Sequence, residues 1–207
     1  MHSESNNLVP CEYKVTILGT YGVGKTSLIR RCCHDTFSLT VPETRGIADC
    51  RKELTVYNQK VLMHLSDTAG TEKYRAVNSL FVRNACGAAL VYDVTRRESF
   101  EDLKYWHKQV KSYAEDAVLV VVGNKIDQVE KRTVSREEGE EYARSIGAEH
   151  IESSAMHDIC VSQVFEKVSQ LVLAKSLRKR LSTFEDNSTG RKFSLMKPKR
   201  KKRFFKC

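Results

Sequence analysis

The chain has 207 residues, a formal charge of +9, 41% hydrophobic and 29% charged residues, and only 3 Pro and 10 Gly. That is one globular domain with tails, and it excludes a collagenous or low-complexity chain. Residues 175–207 hold 13 of the 35 Lys and Arg and 2 of the 26 Asp and Glu, a balance of +11, while residues 1–174 balance at −2. The near-neutral body is not a nucleic-acid binder on charge grounds, and any electrostatic partner belongs to the tail.

In chain order, residues 1–12 are polar and carry no apolar run of signal-peptide length, so secretion is not expected. Residues 14–18 (KVTIL) end at a glycine and read as a strand. Residues 51–57 and 60–65 are two more strands, joined as a hairpin at Asn58 and Gln59. Residues 87–94 (GAALVYDV) and 117–122 (AVLVVV) are continuous apolar runs, the pattern of parallel strands buried on both faces. The longest of the plainly apolar stretches, 117–122, is far short of the ~20 residues that cross a bilayer. Ser99 with Asp102, and Ser135 with Glu138, fit a helix-start pattern. Val161, Val164, Phe165, Val168, Leu171 and Val172 form one stripe of a long final helix. Beyond residue 174 the apolar period fades, which reads as a flexible tail. Alternating strands and helices predict a three-layer α/β domain over residues 13–174, with ligands at the carboxyl ends of the strands. Seven cysteines (Cys11, Cys32, Cys33, Cys50, Cys86, Cys160, Cys207) with no C-x-x-C spacing predict neither a disulfide framework nor a zinc site. The first six read as reduced cytosolic thiols.

Gly19 to Thr26 (GTYGVGKT) matches G-x-x-x-x-G-K-[ST] between a strand and a helix. Such glycines let backbone N–H groups turn onto phosphate oxygens, and the helix N-terminus adds positive potential. Lys25 is placed to reach the β and γ phosphates, and the Thr26 hydroxyl suits Mg²⁺. This motif alone specifies a nucleoside triphosphate without specifying the base.

Asn124, Lys125 and Asp127 form an N-K-x-D after an apolar strand. With the phosphate loop, this motif resembles the Ras superfamily of small GTPases, most closely its Rab branch, over residues 13–174. The resemblance implies a P-loop GTPase fold: a mostly parallel six-stranded sheet with helices on both faces. It implies that Asp127 accepts from guanine N1 and the 2-amino group; adenine lacks that donor pattern and leaves the carboxylate unpaired. Ser154, Ala155 and Met156 resemble the loop that meets guanine O6, although a lysine is usual at Met156. Tyr21, Gly22, Val23, Gly24, Lys25, Thr26, Ser27, Phe37, Thr44 and Gly70 complete the nucleotide contacts that the resemblance implies. Asp67, in a D-x-x-G, and Thr44 join Thr26 around Mg²⁺. The cofactors implied are GTP or GDP and Mg²⁺, with Lys25, Thr44, Gly70 and Thr71 at the hydrolytic centre. The partners implied are an exchange factor, a GTPase-activating protein and effectors, through segments near 37–50 and 67–83. The chain itself is expected to be a monomer.

Thr71 stands where the family usually has a glutamine that orients the attacking water. Tyr21 stands where Rab proteins usually have serine, beside the γ-phosphate. The expectation is tight GTP binding with slow hydrolysis. Two of the three aromatics that shape Rab effector contacts are replaced, by Asp49 and Ser66, and Phe81 retains the third. In the tail, residues 197–203 (KPKRKKR) precede Phe204, Phe205, Lys206 and Cys207. Phe204 occupies the cysteine position of a C-a-a-X box, so that box is absent. A single prenylated Cys207 with a polybasic run is the expected anchor, since one lipid chain plus basic charge holds a membrane stably. A prenyl escort or dissociation inhibitor and an anionic membrane surface are the tail's expected partners. The alternative reading of the basic run is a nuclear-import signal. Two functions stand side by side: a GTP-operated switch in membrane traffic, and a hydrolysis-deficient GTP-binding module acting as a scaffold or in Ras/Rap-like signalling. An adenine-nucleotide enzyme is disfavoured by Asp127.

Overall fold

The computed structural model describes residues 11–39, 47–68 and 78–189, except the side chains of 47, 48, 67, 68, 78, 79 and 183–189. Residues 1–173 make one unit and residues 174–207 a second. The elements run β1 (Cys11–Leu18), α1 (Lys25–His34), β2 (Ile47–Val56), β3 (Gln59–Thr68), α2 (Asn78–Val82), β4 (Gly87–Asp93), α3 (Arg97–Glu101), α4 (Leu103–Tyr113), β5 (Val118–Asn124), α5 (Arg136–Ser145), β6 (Glu149–Ser153) and α6 (Val161–Thr189).

Six strands form one sheet in the order β2-β3-β1-β4-β5-β6. β2 is antiparallel to β3 and the remaining pairs are parallel. The β-branched runs explain the inner strands, because alternate residues face opposite layers and both layers are apolar. Ala88, Leu90 and Tyr92 of β4, with Leu119 and Val121 of β5, pack against Leu103, Trp106 and Val110 of α4 and Ala143 of α5. Ala89 and Val91, with Val120 and Val122, pack on the other face against Leu28 and Ile29 of α1 and Val164, Phe165 and Val168 of α6. Each large side chain fully buried this way contributes about 1.5–3 kcal/mol. Together these layers form the α/β sandwich expected from the alternating pattern.

Several elements depart from the sequence reading. The hairpin turns at Tyr57 and Asn58, both at positive φ (50° and 60°), and Gln59 already pairs with Val56. A two-residue turn of this twist needs positive φ at both central positions, which moves it one residue earlier than expected. Ser99 does not start a helix: α3 begins at Arg97, and Ser99 is buried, accepting from the Asp93 N–H and donating to the Arg96 carbonyl. Ser135 does cap α5, accepting from the Glu138 N–H while the Glu138 carboxylate accepts from the Ser135 N–H. β6 (EHIES) is a short edge strand, too brief and polar to announce itself. α6 extends to Thr189, through Lys, Arg and Leu residues that favour helix without an apolar period.

The cysteines are also corrected. Cys33 and Cys50 form a disulfide, with 6.8 Å between their Cα atoms. The end of α1 packs beside β2, so fold geometry brings together two residues 17 apart in sequence whose spacing carries no motif. Cys11, Cys32, Cys86 and Cys160 are free thiols. Among the described residues, no helix is long and apolar enough to cross a membrane.

Candidate nucleotide-binding site

The loop from Gly19 to Gly24 joins the carboxyl end of β1 to α1, the position where ligands of such sheets bind. Gly24 has φ 95°, which few side-chain-bearing residues adopt, and a Cβ there would lie 2.3 Å from Asn124 Nδ2. Gly19 is excluded from substitution differently: its Cβ would meet the Val91 carbonyl at 2.2 Å. The loop therefore lies tight against β4 and β5. Lys25 is 5% exposed, and its Nζ donates to the carbonyls of Gly19 (2.7 Å) and Thr20 (3.0 Å). A buried ammonium is thereby fixed at the centre of the loop. Thr26 and Ser27 follow in the first turn of α1. Val23 is fully buried and anchors the loop in the core.

Asn124 links this loop to the other half of the site. Its Nδ2 donates to the Val23 carbonyl at 2.8 Å. Its Oδ1 accepts from Ser153 Oγ and from the Ala155 N–H, each at 3.3 Å. Asp127 accepts from Ser154 Oγ at 2.5 Å, and Ser154 Oγ accepts from the His157 N–H. Reciprocal backbone bonds between Ser154 and Ile159 close that loop. Lys125, at φ 68°, pairs with Asp93 Oδ2 at 2.6 Å. Burial raises the Asp93 pKa, but hydrogen bonds from Lys125 and Thr95 outweigh it and hold the carboxyl below its ordinary value. Asp93 thus stays ionised and holds Lys125.

Two arginines were missed by sequence reasoning. Arg31, on α1, donates from Nε to the Ala155 carbonyl and from a terminal nitrogen to the Met156 carbonyl, both at 3.2 Å. Its guanidinium also lies 5.9 Å from the centre of the Phe37 ring, a cation–π arrangement. One side chain thus joins three of the residues expected to surround the base. Arg96 donates to the Tyr21 carbonyl at 2.5 Å, placing fixed positive charge on the outer edge of the phosphate loop. Tyr21 itself is 54% exposed. Neither arginine carries a local signal for these contacts, because the site carbonyls they hold lie more than 70 residues away.

Thr44, Gly70, Thr71 and Cys207 lie outside the described residues, as does the side chain of Asp67. The backbone of Asp67 pairs with Ile17 at the carboxyl end of β1, beside the phosphate loop. Asp49 and Ser66, which replace the two Rab aromatics, face each other across β2 and β3, and Ser66 Oγ donates to Asp49 Oδ1 at 3.0 Å. The two replacements form one hydrogen-bonded pair.

A sequence profile of the Ras family matches residues 14–174. The chain belongs to the Ras family. The Ras-related protein Rab-12 of Homo sapiens is 39% identical over 170 residues, covering 80% of this chain and 70% of that protein. Rab-3 of Caenorhabditis elegans is 39% identical over 171 residues, covering 81% and 78%. Rab-3A of Homo sapiens is 36% identical over 181 residues, covering 87% and 82%. The chain is accordingly a Rab-like small GTPase: a guanine-nucleotide-binding switch of vesicle traffic that hydrolyses GTP and works with regulators and effectors. In this GTPase the phosphate loop and the N-K-x-D are joined physically through Asn124, as well as occurring in family order.

Proposed function

We propose that this Rab-like GTPase holds guanine nucleotide between residues 21–27 and the loops at 124–127 and 154–156, and that its own hydrolysis of GTP is slow. The observation that carries the nucleotide site is the buried Lys25 ammonium inside a loop whose Gly22 and Gly24 have positive φ (77° and 95°). That arrangement turns backbone N–H groups and a cation onto one small space, which fits phosphate. Asp127, oriented by Ser154, reads the guanine N1 and 2-amino donors, and Phe37 lies along the ring. Thr26, Thr44 and Asp67 would hold Mg²⁺, an ion that takes oxygen ligands, and it would supply charge neutralisation to the phosphates.

Slow hydrolysis rests on two side chains. Thr71 lacks the amide that orients an attacking water. Tyr21 puts a mostly exposed ring on the loop beside the γ-phosphate position and in the approach of a partner's arginine. Thr71→Gln is expected to raise the single-turnover rate about tenfold, equal to about 1.4 kcal/mol of barrier. An unchanged rate removes Thr71 as the limiting residue. Tyr21 also favours the second reading, a GTP-bound module that scarcely cycles.

The switch segments near 37–50 and 67–83 meet the exchange factor, the activating protein and the effectors. The Asp49–Ser66 pair puts an exposed carboxylate on a buried hydroxyl where Rab proteins carry two aromatics, so the effectors differ accordingly. For membrane association we propose a prenyl group at Cys207, delivered by an escort protein. Residues 197–203 would lie on an anionic leaflet on the cytosolic side of an intracellular or plasma membrane.

A further inference from the structure

Cys33 lies in the last turn of the helix that carries the phosphate loop's lysine, and Cys50 lies on β2, an edge strand of the sheet. Among the described residues β2 pairs with β3 alone in the sheet, and the Cys33–Cys50 bond adds a cross-link from β2 to α1 beyond the main chain. Both cysteines are only partly buried, within reach of small thiol reagents. The adjacent Cys32 is buried in the core, and burial pushes its thiol up to about 11, which keeps it protonated and unreactive. Selectivity for Cys33 over Cys32 is thus built into the helix. A disulfide in a reducing compartment is ordinarily transient and serves as a sensor.

The bond also lies close to the proposed base-binding residues. Two residues before Cys33, Arg31 holds the carbonyls of Ala155 and Met156 and lies against Phe37. Phe37 is inside the loop that the disulfide closes. We propose that Cys33 and Cys50 are a reversible thiol–disulfide couple that sets how long this GTPase retains guanine nucleotide. The inference rests on the reading of the guanine site given above.

The oxidant is a low-molecular-weight disulfide. The thiolate of one cysteine attacks a sulfur of that disulfide, expels one small thiolate and forms a mixed disulfide. The second protein thiolate then attacks the protein sulfur of the mixed disulfide and expels the other small thiolate. The two protons lost by the protein thiols end on the two small thiols. The protein is oxidised by two electrons and the small disulfide is reduced by two. The bond fixes the last turn of α1, and with it Arg31 and its hold on the carbonyls of Ala155 and Met156, which raises the cost of local opening there, so the oxidised protein holds nucleotide longer.

The test uses the full chain loaded with a fluorescent GDP analogue. One sample is equilibrated with oxidised glutathione and one with dithiothreitol, and peptide mapping follows the link between residues 32–45 and 46–51. Release is expected to be at least about fivefold slower in the oxidised sample, the low end of ordinary coupling between sites. Cys50→Ser and Cys33→Ser should release at the reduced rate under both conditions, and Cys32→Ser should behave as the unaltered chain. Equal release rates from linked and unlinked protein overturn the proposal and leave the guanine site standing. The absence of a 33–50 link at any glutathione ratio also overturns it. Failure to retain the GDP analogue in either state overturns the guanine-site reading together with the proposal.

Discussion

Asn124 shows how a residue recognised by motif acquires its physical role only in the fold. As part of N-K-x-D it reads as a nucleotide contact. In the structure it is 1% exposed, and its amide nitrogen and oxygen both have protein partners, on the phosphate loop and on the base loop. Removing it leaves the Val23 carbonyl buried and unpaired, at a cost of about 1–3 kcal/mol. Asn124→Ala is therefore expected to lower the thermal midpoint by roughly 2–4 °C per kcal/mol lost. It should also accelerate GDP release, because the two halves of the site come apart. A variant that melts and releases GDP as the unaltered protein does would show that Asn124 links nothing. Lys25, Asp127 and Ser154 were legible because their motifs are contiguous stretches of chain. Arg31 and Arg96 were not, because the partners that bring them to the site are carbonyl oxygens, which every residue has, and only the fold selects which.

At the scale of elements, the inner strands were legible and the connections were not. β4 and β5 are buried on both faces, so their apolar runs state their environment directly. The Tyr57–Asn58 turn was misplaced because Asn58 carries an obvious turn signal while Tyr57 at positive φ carries none. Ser99 and Ser135 satisfy the same four-residue pattern, yet only Ser135 is a cap. The difference is tertiary: Ser99 is committed to the end of β4, through bonds with the Asp93 N–H and the Arg96 carbonyl. The Cys33–Cys50 bond belongs to the same class, since it exists because the end of α1 packs beside β2. Asp49 and Ser66 read as two separate departures from the Rab pattern. The register of β2 on β3 makes them a single exchange of apolar for polar contact.

Across the whole molecule, the charge of +9 separates into a near-neutral GTPase domain and a basic tail. The candidate nucleotide site lies at the carboxyl ends of β1, β5 and β6, where Asn124 joins the phosphate loop to the loop at Ala155. The anchor proposed for the tail would be additive: each Lys or Arg near an anionic leaflet would contribute about 1 kcal/mol, and a lipid chain would supply the rest. Labelled prenyl lipid is expected to enter the unaltered chain and not Cys207→Ser, and Cys207→Ser should leave vesicle membranes. A Cys207→Ser protein that stays on membranes equally well contradicts the anchor. A guanine switch whose own hydrolysis is slow makes a plain kinetic demand, read by single-turnover hydrolysis of GTP pre-bound to the purified protein with Mg²⁺. Stoichiometric bound GTP is expected to convert to GDP at or below about 10⁻⁴ s⁻¹, the order of unassisted Ras-type proteins. Conversion far faster than that, or a protein that retains no GTP, would contradict it.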